Sequence, residues 1–132
     1  MDSDYRQHMY HALGMNLTSR ENGRLQASME VSSANCQPLG FLCGGASIAM
    51  AEILAGMGSL DIVEEGLFPM GIQVSASHLR PAEFGTTVYA DATLKHRGRT
   101  LHLWNVDITD NEGNLVSSIR VTNSIVKKHR VN

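Results

Sequence analysis

Apolar and polar residues alternate with period two over much of the second half of the chain. Thr86 to Leu94 carries Val88, Ala90, Ala92 and Leu94 on one face, and Leu115 to Val126 carries Leu115, Ser117, Ile119 and Val121. Phe68 to Leu79 and Leu101 to Thr109 also read as strands, and Arg80-Pro81, Arg97-Gly98-Arg99 and Asn111-Glu112-Gly113 punctuate the series. Successive alternating runs joined by glycine turns predict an antiparallel sheet. Two earlier strand-like runs, Met15–Ser19 and Arg24–Val31, flank Arg20-Glu21-Asn22-Gly23, and Asn-Gly is a hairpin signal. Before them, Tyr5 to Leu13 forms a short helix, capped by the acidic residues Asp2 to Asp4 and ended by Gly14. The middle of the chain differs. Between Val31 and Leu60 the only formally charged side chain is Glu52. Pro38, Gly40, Gly44 and Gly45 break the first half of that stretch, and Ala46 to Gly58 is long and apolar enough for a helix. A helix apolar on nearly all sides tends to be buried. The order α-β-β-loop-α-β-β-β-β therefore predicts an α+β fold, a central helix wrapped by a sheet.

Composition narrows the class. The 132 residues suit a single domain, 1–132, and 42% hydrophobic residues suffice for a core. Eleven basic residues against thirteen acidic ones give a formal net charge of −2, which argues against a nucleic-acid binder. No apolar run approaches the ~20 residues that span a bilayer, so no membrane partner is expected. Met1-Asp2-Ser3-Asp4 lacks the basic start of a signal peptide. Two cysteines, Cys36 and Cys43, make no disulfide framework, so the expected compartment is the reducing cytoplasm.

Glu52 is the residue that needs explaining, because it stands mid-helix among Ile48, Ala49, Met50, Ala51, Ile53, Leu54 and Ala55. Either it lies on the solvent face, or it is a carboxylate poised in an apolar site for acid–base or nucleophilic work. The glycine pair Gly44-Gly45 at the start of the same helix leaves room for a ligand at bare N–H groups, where the helix dipole favours negative charge. That is the chemistry of an oxyanion hole. Gly44 and Glu52 are eight residues apart, about 12 Å along a helix axis. One helix does not bring both to one carbonyl carbon. Two antiparallel copies do, and the small residues Gly44, Gly45, Ala49, Ala51, Ala55 and Gly56 leave room for close packing. A two-fold dimer with composite sites is the expectation.

Gln37-Pro38-Leu39-Gly40-Phe41-Leu42-Cys43-Gly44-Gly45-Ala46-Ser47, followed by Ala51-Glu52, resembles the hotdog-fold acyl-CoA thioesterases. The resemblance is to the branch that includes 4-hydroxybenzoyl-CoA thioesterase of the Arthrobacter type, 1,4-dihydroxy-2-naphthoyl-CoA thioesterase and the phenylacetate-pathway thioesterases. That branch reads Gln-x-x-Gly-x-x-His-Gly-Gly and then Ala-Glu. A second block, Val74-Ser75-Ala76-Ser77-His78-Leu79-Arg80-Pro81, is similar to the family's Asn-His-Leu-Arg-Pro segment, and Gly113-Asn114-Leu115-Val116 through Thr122 resembles its last strand pair. The resemblance implies a hotdog fold, with Glu52 as catalytic carboxylate and Gly44 as the amide that polarises the thioester carbonyl. It implies that Gln37 holds the thioester or the attacking group and that His78 lies near the acyl pocket. It also implies a mixed-subunit site, usually in a homotetramer built as a dimer of homodimers.

Two positions depart from the pattern. Cys43 replaces the usual histidine, and Gly56 replaces a Ser or Thr that lies one turn beyond the carboxylate. A thiol at a helix N-terminus can have a lowered pKa, so Cys43 is either a cysteine nucleophile or, as buried cysteines more often are, a small apolar residue; Cys43 and Gly45 are candidate substrate contacts. The basic turn Lys95-His96-Arg97-Gly98-Arg99 is either a solvated hairpin tip or a phosphate contact; Arg80, Arg97 and Arg99 are the candidates for coenzyme A. His8 and His11 lack a third ligand with familiar spacing, so no metal site is expected. No Gly-x-Ser-x-Gly elbow, P-loop or dinucleotide fingerprint occurs. The expected activity is hydrolysis of a small or aromatic acyl-CoA thioester, with no cofactor beyond the coenzyme A of the substrate. The alternatives are a non-catalytic acyl-CoA binder and a hydratase or dehydratase of the same fold.

Overall fold

The computed structural model describes residues 8–128. Asp2 to Asp4, expected as helix caps, lie outside the described residues, as does the start of the helix predicted from Tyr5. Helix α1 (Met9–Leu13) ends at Gly14. Strands β1 (Met15–Glu21) and β2 (Arg24–Glu30) form the predicted hairpin around Asn22-Gly23. Helix α2 (Gly44–Ile62) is 19 residues long, extending beyond the predicted Ala46–Gly58 at both ends. Strands β3 (Leu67–His78), β4 (Thr87–Arg97), β5 (Leu101–Thr109) and β6 (Leu115–Lys127) follow.

The strands form one six-stranded sheet in the order β1-β2-β4-β5-β6-β3, antiparallel throughout. After β2 the chain crosses the sheet through α2 and returns as β3 on the far edge, and α2 touches all six strands. This is the expected α+β arrangement of one long helix against an antiparallel sheet. Leu25, Met29, Val88, Trp104, Val106, Ile108, Ile119 and Val121 are fully buried against Met50, Ala51, Leu54 and Ala55 of α2. Each fully buried Leu, Ile or Met side chain contributes about 1.5–3 kcal/mol. The alternation read from the sequence holds for Val88, Ala90 and Ala92. In β6 the buried set is Val116, Ser117, Ile119, Val121 and Asn123, while Leu115 at the strand start is exposed.

Helix α2 corrects two expectations. It is long and apolar enough to cross a bilayer by length and composition alone, yet half of its apolar window is buried inside the fold, as a core helix. Nor is it buried on all sides. The sheet covers Ala46, Ser47, Met50, Ala51, Leu54, Ala55, Gly58 and Ser59. On the opposite face Gly45, Glu52 and Leu60 are exposed and Ala49, Ile53 and Gly56 partly so; among the described residues only α1 approaches it, beside Gly45 and Ala49. The sheet lies on one side only, so an apolar second face remains open.

A buried polar cluster locks α2 onto β5 and β6. Trp104 Nε1 donates to Ser59 Oγ at 2.8 Å, and Asn123 Nδ2 donates to the same oxygen at 3.1 Å. Two donors fill the lone pairs of Ser59, so its own hydrogen goes to His102 Nδ1, 2.8 Å away. His102 is thereby held neutral. Burial lowers its pKa from the ordinary 6.5, and the charges of Arg97 and His96 lower it further. Beside the cluster, a Cβ added at Gly58 would lie 2.7 Å from Trp104 Cζ2 and 3.0 Å from Leu25 Cδ1, so the helix approaches β5 closely only with glycine there.

Ser59→Ala strands the Trp104 N–H and the His102 Nδ1, and should lower the unfolding free energy by about 3 kcal/mol in urea titrations. Stability should also fall on acidification through the ordinary histidine value of 6.5, because the unfolded chain takes up a proton that the folded His102 does not. Urea midpoints measured across that range should show the fall, and His102→Asn should remove this residue's share of it.

Candidate active site

The loop that leads into α2 is held by its own polar side chains. Asn35 is buried, and its Nδ2 donates to Leu13 O at 3.0 Å and Glu30 O at 2.9 Å, while its Oδ1 accepts from Ser32 N. Gln37 Oε1 accepts from the amides of Leu39 and Phe41, closing a tight turn through Gly40. The amides of Leu42 and Phe84 then donate to Ala82 O and Gly40 O, fastening the loop to the segment between β3 and β4.

This fastening delivers Gly44 as the first residue of α2 with Cys43 at the N-cap, and the Cys43 side chain caps nothing. Neither the Gly44 nor the Gly45 N–H has an acceptor among the described residues. These orphan amides stand at the positive end of a 19-residue helix dipole. His78, at the end of β3, packs onto Gly44. A Cβ there would lie 2.9 Å from His78 Nε2, so the contact needs glycine. The other ring nitrogen, Nδ1, is 2.8 Å from Ser117 Oγ. Gln37, Gly44, His78, Arg80, Phe41 and Ser117 line one cleft of about 390 Å³. Three of the four residues expected to be catalytic, and one of the expected arginines, are therefore together in one chain.

The others are elsewhere. Glu52 is exposed, makes no hydrogen bond or ion pair among the described residues, and does not line this cleft. Its Oε2 lies over β3, 3.6 Å from where a Cβ on Gly71 would be. The expectation that one helix cannot bring Gly44 and Glu52 together holds within the chain, and Glu52 is on the uncovered face. Cys43 and Gly45 line a separate cleft of about 430 Å³, shared with Cys36, Ala49 and α1. Both cysteines are free thiols. Arg97 and Arg99 border a third cleft at the C-terminal end of α2, about 27 Å from its start along the axis. Arg97 Nη2 donates to Ile62 O at 2.6 Å, so this arginine caps the helix, a role its place in a basic turn did not reveal.

Sequence reasoning missed Ser117 and Asn35 as parts of the site. Ser117 read as one more inward position of an alternating strand. A hydroxyl in an otherwise apolar stripe, opposite a histidine, was the available signal. Asn35 carried none, because its three partners come together only in the fold.

Gly44→Ala should leave the fold intact but push the His78 ring aside. The ring resonances of His78 should shift and the Ser117 contact should weaken; unchanged resonances would mean that the ring does not rest on Gly44.

Residues 39–117 match the Thioesterase superfamily. The chain is 31% identical over 118 residues to a 1,4-dihydroxy-2-naphthoyl-CoA hydrolase of Listeria monocytogenes, covering 89% of this chain and 95% of that one. It is 34% identical over 114 residues to the proofreading thioesterase EntH of Klebsiella pneumoniae, covering 86% and 82%. Two solved structures of one Staphylococcus aureus chain, described in one of them as a thioesterase enzyme, are also similar. Both are 32% identical to this chain. The first, a glutamate-to-alanine variant, has a TM-score of 0.88 and covers 92% of this chain and 100% of its own. The second, a glutamine-to-alanine variant, has a TM-score of 0.86 and covers 92% and 99%.

Proposed function

The chain belongs to the thioesterase superfamily and is a hotdog-fold thioester hydrolase, and from that premise we propose that it hydrolyses a small or aromatic acyl-CoA at a site shared between two subunits. One observation carries the proposal. Gly44, whose amide is unpaired, lines the cleft of Gln37 and His78, while Glu52, eight residues along the same helix, is exposed and has no partner among the described residues. A free carboxylate on an uncovered apolar face is what a second, two-fold-related helix would meet. Glu52 of one subunit then reaches the Gly44 cleft of the other.

The chemistry follows from these groups. The thioester carbonyl oxygen lies at the Gly44 N–H. As the tetrahedral intermediate forms, that oxygen gains negative charge, and the amide and helix dipole stabilise it. Glu52 takes a proton from water, whose oxygen adds to the carbonyl carbon, or the carboxylate adds directly and the resulting anhydride is hydrolysed. The C–S bond breaks and coenzyme A departs as a thiolate, which is then protonated. A thiolate is a good leaving group, so the step needs neither a metal nor a dissociable cofactor. Gln37 Oε1 is bound by the loop, which leaves its amide nitrogen, Nε2, as the donor available to the thioester or the attacking water. Arg80, at the cleft, and Arg99 are the proposed phosphate contacts; Arg97 is already engaged at Ile62.

The relatives' names support the aromatic reading, since one similar chain is a hydroxynaphthoyl-CoA hydrolase. In the Staphylococcus chain the altered glutamine and glutamate are 15 positions apart, the separation of Gln37 and Glu52 here. The proposed assembly is a homodimer that pairs into a homotetramer. It would cover the open face of α2 and the exposed Met70 and Ile72 of edge strand β3. Two free thiols suit the cytoplasm.

Release of free thiol from benzoyl-, hydroxybenzoyl-, phenylacetyl-, hydroxynaphthoyl- and straight-chain CoA esters tests the reading. Glu52→Ala should lower kcat on the best aromatic ester by about 10²–10⁴-fold while binding of a non-hydrolysable analogue survives. Unaffected turnover would remove Glu52 from the mechanism, and binding without turnover by the unaltered protein would make the chain an acyl-CoA binder. Light scattering should report a dimer or tetramer, and a stable monomer would contradict the shared site.

A further inference from the structure

The register of β3 and β6 sets His78 directly opposite Ser117. Directly opposed residues in an antiparallel ladder send their side chains to the same face. Ser117 is only 1% exposed, and its hydroxyl lies 2.8 Å from His78 Nδ1. Among the described residues that is the hydroxyl's sole hydrogen bond. A buried O–H is costly to leave without an acceptor, and the ring nitrogen is the acceptor within reach. Ser117 therefore donates to Nδ1, and the neutral ring carries its proton on Nε2. Nε2 is the ring atom nearest Gly44, 2.9 Å from the position of an added Cβ, in the same cleft as the free Gly44 amide.

We propose that Ser117 is a positioning residue that holds His78 in the Nε2–H tautomer, so that the imidazole donates a second hydrogen bond to the carbonyl oxygen polarised by Gly44. This rests on the reading of the cleft as the thioester site. No proton is transferred; the neutral ring donates as the oxygen gains charge. The sign of the effect depends on the tautomer. With Nδ1–H directed at Ser117, the serine hydrogen would lose its acceptor and Nε2 would turn a lone pair toward the developing oxyanion. The first arrangement stabilises the transition state and the second opposes it.

The other histidine–serine pair shows what is specific here. His102 Nδ1 and Ser59 Oγ are also 2.8 Å apart, but Trp104 and Asn123 occupy Ser59 from the other side. That pair ties the core. Among the described residues no other side chain bonds to Ser117, and the far side of the His78 ring packs against Gly44.

Nitrogen NMR of the His78 ring in the unaltered protein, at a pH where the ring is neutral, tests the assignment without any variant. A proton on Nε2 is expected, and a proton on Nδ1 would overturn the proposal. Ser117→Ala should move the ring toward a mixture of tautomers. It should lower kcat on the best aromatic CoA ester about tenfold with KM within about twofold, less than the loss expected for removing an oxyanion donor outright. Ser117→Thr, which keeps the hydroxyl, should restore the ring signal and most of the rate. A changed tautomer with unchanged kcat would show that His78 does not donate to the oxyanion. Failure of the underlying reading looks different: turnover would then be indifferent to Glu52→Ala while the His78 tautomer remained as assigned.

Discussion

An α-helix rises about 1.5 Å per residue, and the site depends on that rise. Gly44 and Glu52 are fixed on one rigid rod by an eight-residue separation, so neither loop motion nor side-chain reach brings the free amide and the carboxylate of one chain together. The rod is rigid because the sheet grips one whole face of it, from Ala46 to Ser59. The other face is left apolar, lined with small residues and carrying one charge. In the proposed dimer a second copy running the opposite way would cover that face and supply the missing carboxylate at once. Fold, assembly and chemistry thus share one geometric cause.

The two ends of α2 are treated differently by the rest of the chain. At the C-terminal end the Ser59 cluster and Arg97 satisfy polar groups and carbonyls, so that end is anchored. At the N-terminal end the loop is fastened by Asn35, Gln37 and the 82–84 segment, yet the first two helix amides are left open. Unpaired amides held this firmly act as preorganised donors, which need no rearrangement when negative charge develops. Gly44 fits this place because a side chain there would meet His78.

Much of this was legible in the sequence, for physical reasons that can be named. The period-two runs gave β2 and β4 to β6, and Asn22-Gly23 gave the hairpin, because alternation and turn chemistry are local properties. The lone charge at Glu52 stood out as a candidate because a charge is costly in an apolar helix, and the glycine pair because it opens a helix start. What failed was non-local. The helix continued past Gly58 because its packing against Trp104 outweighs the low helix propensity of glycine. Arg97 read as part of a hairpin tip or as a phosphate contact, and its bond to Ile62 O, 35 residues away, was not visible in either reading. Ser117 acquires meaning only from the strand register that sets it against His78. Cys43 adjoins Gly44 yet lines the neighbouring cleft; as the N-cap its backbone is extended, so helical periodicity does not place its side chain.

The most direct test of the shared site is complementation between two inactive variants. Glu52→Ala lacks the carboxylate, and Gly44→Val fills the space of the His78 ring beside the amide. Refolded together in equal amounts, they form hybrids in which one of the two sites has both groups intact. Statistical assortment predicts recovery to about a quarter of the unaltered specific activity. No recovery from hybrids shown to have formed would contradict the account, because it would mean that each subunit works with its own Gly44 and its own Glu52.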